Sequence, residues 1–205
     1  MKTRLFLPFL VFISFFTSCS DFDTIKGAQS PMGEVGVTVS SYGVEVYGVS
    51  GIAGSVVALE DGVSSYTGTA TVTSENMRNI LANFEGTEVE GEQVTINDLE
   101  FKQTEHGLEA VNGLASGTIV DYDSKVGDEY KTSDGVRTVK SKSTDDDYFW
   151  GGMMIKVTEV EENPNNYGVK TIRYWANHRF GLVGIEFTFD DNSTAGFPVF
   201  TSTQN

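Results

Sequence analysis

From Glu34 onward, apolar and polar residues alternate with a period of two. Val35, Val37 and Val39 alternate with Gly36 and Thr38, and Val44 and Val46 with Glu45 and Tyr47. Successive side chains of a strand point to opposite faces, so this pattern predicts strands with one buried face. The last third alternates most clearly. Met153, Ile155 and Val157 share one predicted face opposite Lys156 and Thr158; Ile172, Tyr174 and Ala176 oppose Arg173 and Trp175; Val183, Ile185, Phe187 and Phe189 oppose Glu186 and Thr188. Asn163-Pro164-Asn165-Asn166 and Asp190-Asp191-Asn192-Ser193 read as turns, with a bend at 177–181 and a final strand from Phe197 to Thr201. Further strands are expected at about 87–96, 99–104, 107–112 and 117–122.

One stretch breaks the period. Met77, Ile80, Leu81 and Phe84 fall at i, i+3, i+4 and i+7, a single apolar stripe of a helix. Ser74 is a suitable N-cap, Glu75 places negative charge at the positive helix end, and Gly86 closes the segment. A helix at about 74–85 is expected on a sheet face or across the end of a barrel. Many short strands, hairpin turns and one helix predict an all-β fold: an antiparallel half-barrel, or a barrel or sandwich. The segment from Tyr174 through Trp175, Ala176, Asn177, His178, Arg179, Phe180, Gly181 and Leu182 to Val183 resembles a strand–turn–strand unit of envelope lipoproteins of half-barrel type. That resemblance favours an open barrel over an immunoglobulin-like sandwich. A single β-rich domain is expected over 34–205, with a polar junction and sub-boundary near 123–127.

The amino terminus changes the picture. Lys2 and Arg4 precede an apolar run from Leu5 to Phe16, and Thr17 and Ser18 are small residues ahead of the only cysteine, Cys19. This charge, length and order read as a secretory signal, residues 1–18, too short to span a bilayer. Phe16-Thr17-Ser18-Cys19 resembles the lipobox of bacterial lipoproteins, with Phe16 where leucine is usual. The resemblance implies acylation of Cys19 and cleavage before it. Ser20-Asp21-Phe22-Asp23 is similar to the acidic export signals of surface lipoproteins of Bacteroidota. It implies an outer-membrane or cell-surface location, with the membrane as partner through the lipid. Residues 19–33, polar and broken by Gly27, Pro31 and Gly33, are expected as the lipidated cysteine and a flexible tether.

The net charge of −15 becomes −17 without the signal, because 12 basic residues then face 29 acidic ones. Such a surface repels phosphate backbones, so no nucleic acid partner is expected. With Cys19 acylated the mature chain would have no free cysteine, which removes disulfides, thiolate nucleophiles and cysteine metal sites. His106 and His178 stand alone in separate turns, and no cofactor is expected. Asp121 and Asp123 are the residues that would serve a calcium ion, although Lys125 and Val126 break the EF-hand spacing and turn carboxylates are commonly just solvated.

The stretch richest in recognition chemistry is Asp145-Asp146-Asp147-Tyr148-Phe149-Trp150-Gly151-Gly152. Carboxylates accept hydrogen bonds from hydroxyls and rings stack on sugar faces, so this loop is a candidate carbohydrate- or protein-binding edge. Trp175, His178 and Arg179 would join it if the fold brings the two loops together. The competing expectation is that Tyr148 to Trp150 start a strand and half of them enter the core. The functional expectation is a lipid-anchored envelope protein with a binding or structural role. Two alternatives stay open: a surface-anchored glycan hydrolase using acidic-loop carboxylates, and a carrier of an apolar ligand inside the barrel. Only the last requires a lined internal cavity.

Overall fold

The computed structural model describes residues 24–41, 47–164 and 168–203. The signal segment, Cys19, Val44, Val46, Asn165 and Asn166 lie outside the described residues. The chain is all-β. It runs through β1 (Thr38–Ser40), β2 (Val49–Glu60), β3 (Val63–Val72), the helix α1 (Glu75–Leu81), β4 (Thr87–Glu90), β5 (Gln93–Thr104), β6 (Gly107–Ala110) and β7 (Gly117–Asp121). Then follow β8 (Glu129–Lys131), β9 (Val136–Lys142), β10 (Tyr148–Trp150), β11 (Met153–Ile155), β12 (Thr158–Glu162), β13 (Val169–Asn177), β14 (Gly181–Phe189), β15 (Thr194–Pro198) and β16 (Phe200–Ser202).

Every pairing is antiparallel. One sheet has the order β16-β1-β2-β3-β5-β6-β7, with β4 also paired to β5; the other has the order β15-β14-β13-β12-β9-β8; β10 and β11 form a separate hairpin. The chain passes from the first sheet to the second between Asp121 and Glu129, around the junction expected near 123–127. The larger sheet is a curled half-barrel. Its curl has a local cause. The β2–β3 register slips twice and the β3–β5 register once, and each extra residue in a ladder bends and twists the strand. Where β2 crosses β3 most closely, a Cβ on Gly54 or Gly68 would lie within 3 Å of the partner backbone, so only glycine fits. The β2–β3 turn is Asp61-Gly62, both at positive φ, the signature of a tight two-residue hairpin.

The helix forms as its stripe predicts, but ends earlier than residue 85. Ser74 Oγ accepts from the Met77 amide, and Met77 and Ile80 are buried. Beyond Leu81, the Asn83 and Phe84 amides bond to carbonyls only three residues back, so the turn tightens before Gly86. The expected strands 87–96 and 99–104 divide elsewhere: the break falls after Glu90 at Gly91, and β5 runs unbroken through Asp98, which adopts positive φ. The expected final strand 197–201 is divided at Val199, where the chain leaves one sheet for the other.

The carboxy-terminal part of the expected tether, from Ile25 to Gly33, is fastened to the domain. The Ile25 side chain is buried and its amide donates to Glu109; Thr104 Oγ1 donates to the Lys26 carbonyl; Gln29 bridges Thr104; the Ser30 amide donates to the Gln103 carbonyl. Ser64 Oγ donates to the carbonyl of the buried Gly33.

The core lies between the sheets. Val72, Val94, Leu108 and Val120 of the curled sheet face Val139, Val160, Ile172 and Phe187 of the other, with Met77 and Ile80 of α1 packed in. The expected inward face Ile172–Tyr174–Ala176 is buried, as are Val183, Phe187 and Phe189, with Ile185 partly so. Met153 departs from the expected face it shares with Ile155 and Val157. It is 47% exposed, because it sits at the turn end of the β10–β11 hairpin, whereas Ile155 and Val157 are covered.

Candidate functional site

Between the sheets the packing is incomplete. An apolar cavity of about 280 Å³ lies there, with Ile52, Ala53 and Ala70 on its wall from β2 and β3, Ile96, Leu99 and Phe101 from β5, and Leu182, Ile185 and Phe197 from the facing sheet. Leu81 and Phe84 border it from α1 and the turn that follows. The cause is legible residue by residue. Beside the cavity the curled sheet carries the short side chains of Ala53 and Ala70, and Gly54 and Gly68, where the close approach of β2 and β3 admits no side chain at all. Protein interiors ordinarily leave few voids larger than a water molecule, so a gap of this size with this lining is a built feature.

Several polar groups border the cavity. Gln103 Nε2 donates to the Tyr66 hydroxyl, which donates to the Met32 carbonyl. Elsewhere on the wall stands Arg137, 1% exposed. Its Nε meets Glu162 Oε2 at 2.9 Å, its Nη1 donates to the carbonyls of Gly117 and Thr118, and its Nη2 to that of Ala115. Tyr174, also on the wall, donates its hydroxyl to Glu162 at 2.9 Å, under a guanidinium 5.3 Å from its ring centre. Burial holds the Tyr66 and Tyr174 hydroxyls well above the usual phenol range.

The fold does bring the aromatic loop and the β13–β14 bend together. Trp150, Ile155, Val157 and Val183 form a small cluster with Tyr148, Trp175, Phe180 and Phe200 against it. Trp150 is only 6% exposed: its ring packs on Phe180 and Phe200 at centroid distances of 4.4 and 5.2 Å, and its Nε1 donates to the Val199 carbonyl. Trp175 is half-buried and stacks on Tyr148 at 6.2 Å. The two tryptophans are therefore not exposed together. Arg179 is exposed and lies over the Phe180 ring, and His178 points to solvent. Asp145, Asp146 and Asp147 are exposed, Asp147 accepting from Ser143 Oγ and Asp145 from Thr144. The ring this loop offers to solvent is Phe149, 72% exposed beside Met154, its cross-strand partner. Burial, then the charges of Glu159 and Glu186, raises the Tyr148 hydroxyl above its ordinary value.

Asp121 Oδ1 accepts from the Asp123 amide in a local turn, and the Asp123 carboxylate lies 3.5 Å from His106 Nδ1. Among the described residues no three histidine, cysteine or acidic side chains converge as a metal site. The closest gathering of carboxylates on strand faces is that of Glu159, Glu161 and Glu186 around Arg173, whose guanidinium nitrogens lie 3.4 to 3.8 Å from them. Comparison of the chain with protein-family models, with curated proteins and with solved structures returns no match.

Alternation alone gives the inward faces that line the cavity, but it is blind to the distance between facing sheets. The signal that marks the gap is compositional. Four of the small residues at 53, 54, 68 and 70 lie in two paired strands, where β-branched residues would otherwise be favoured.

Proposed function

We propose that the chain is a lipid-anchored envelope protein whose domain holds an apolar ligand between its two sheets. The cavity carries this reading: its volume approaches the lower end of small-molecule sites, about 300 Å³, and its wall is mostly aliphatic and aromatic side chains. A purely structural module has no use for such a void, since filling it would add stability. The anchor rests on the lipobox-like Phe16-Thr17-Ser18-Cys19, and among the described residues no helix is long and apolar enough to cross a membrane.

The test is to fill the space. Ala70→Phe places a ring where the cavity lies, so it should abolish uptake of a fluorescent apolar probe such as a naphthylamine while the cooperative melt is retained. Unchanged probe binding in a folded Ala70→Phe protein sinks the carrier reading. For the anchor, Cys19→Ala should abolish labelling by a palmitate analogue and release the protein from membranes.

A further inference from the structure

We infer that the cavity takes a bare hydrocarbon chain and leaves the polar head outside, so that ligands are sorted by chain length and not by head-group chemistry. This deepens the carrier reading and depends on it. The reason is that the wall has no uncommitted charge to offer. Arg137 is its one charged side chain among the described residues. Nε of that guanidinium is held by the Glu162 carboxylate, and the two terminal nitrogens by three backbone carbonyls. An entering carboxylate would have to displace Glu162, which is itself fully buried and would be left without its cation.

The two amide side chains on the wall are committed as well. Asn112 donates to the Asp98 carbonyl and accepts from the Glu100 amide. Gln103 donates to Tyr66. A charged or strongly polar head placed inside would lose its water with nothing equivalent in return. A methylene chain loses nothing by entering. A cavity of about 150 Å³ accommodates benzene, so one of about 280 Å³ has room for roughly ten to twelve carbon atoms.

The experiment is calorimetric titration of the full mature chain with three soluble ligands that share a ten-carbon alkyl tail: undecanoate, decyltrimethylammonium and decyl maltoside. Salt near 1 M shrinks the screening length to about 3 Å, so the acidic surface no longer biases the comparison. The three dissociation constants should agree within about threefold. Shortening the tail by two carbons should weaken each about fifteenfold, from about 0.8 kcal/mol per buried methylene. Lengthening it past about twelve should add nothing further. A tenfold or larger preference among the three heads overturns the inference and leaves the cavity as a binding site. Failure of every tail to bind, or equal binding by the folded cavity-filling variants Ala70→Phe and Ala110→Leu, overturns the carrier reading itself. Ala110 on β6 also borders the cavity, so it supplies the control should the Phe variant not fold.

Discussion

At one edge of the domain the sheets are joined by the chain itself: β15 ends at Pro198, Val199 turns inward, and β16 begins at Phe200 in the other sheet. The joint is mostly apolar. Trp150 covers it, Phe180 and Phe200 flank the indole, and the polar groups are tied off locally: Trp150 Nε1 to the Val199 carbonyl, the Val199 amide to the Val183 carbonyl, and Thr201 Oγ1 to the Phe180 carbonyl. At the opposite edge β7 and β8 are bridged mainly by polar groups. Arg137 reaches from β9 to three carbonyls in and beside β7 while its Nε holds Glu162 of β12, and Ser133 and Ser116 bond to one another. The difference teaches where the fold is fragile. The chain crosses between the sheets at both edges, but the apolar corner shares its stability over many weak contacts, whereas the polar edge concentrates it in one buried cation whose partners cannot reach water.

The sharpest way to break this comparison is Arg137→Ala, which leaves the Glu162 carboxylate buried and unpaired. It should cost about 3–5 kcal/mol, read from the urea midpoint. The paired change Arg137→Met with Glu162→Leu removes both charges and should recover most of that loss. A single-variant cost below about 1 kcal/mol would mean the polar edge is not the fragile one. At the corner, Trp150→Phe keeps a ring but strands the Val199 carbonyl, and should cost about 1–3 kcal/mol.

High pH separates the edges differently. The Tyr174 hydroxyl that donates to Glu162 is raised by burial, then tuned by the neighbouring Arg137 and Glu162 charges. In the unfolded chain the phenol titrates near its ordinary value of 10.0. Its contribution is therefore complete below that pH and is lost as pH rises past it toward the higher folded value. Urea midpoints should fall above about pH 10, and Tyr174→Phe should shallow the decline, while Tyr66, Tyr122, Tyr130 and Tyr148, whose hydroxyls burial also raises, account for what remains. The smallest effect belongs to Arg173, which is 44% exposed although three carboxylates surround it. Arg173→Ala should cost at most about 1 kcal/mol and less still in high salt, because solvent screens exposed pairs.

Much of the fold was legible in the residue pattern, and the reasons for the exceptions are physical. Alternation placed Ile172, Tyr174 and Ala176 inward because the middle of β13 keeps one face buried, the exceptions being at its ends, where the register shifts. It failed at Met153 because the 153–157 run is not one strand: β11 ends at Ile155 and belongs to the separate β10–β11 hairpin, and β12 begins only at Thr158. The Ser74 cap and the Met77–Ile80 stripe located the helix, which local chemistry determines. The aromatic loop was recognised and the fold does gather Tyr148, Trp150 and Trp175, but Trp150 closes a corner instead of facing solvent. The cavity was named only as the requirement of one alternative. A void depends on how far apart two sheets stand, a sum over bulges in β2 and β3 that no single residue announces.

The way the amino-terminal stretch adheres to β5 has a mechanical consequence. If acyl chains occupy Cys19, only the six peptide links back from Ile25 separate the bilayer from residues already bound to the domain, at most ~22 Å of chain. The length of β2 alone is about 40 Å at ordinary strand rise, so the body is held nearer the lipid than its own span. With that anchor in place such a leash would restrict the orientations the protein can sample, and a hydrocarbon guest of the proposed kind would have only a short journey from the membrane.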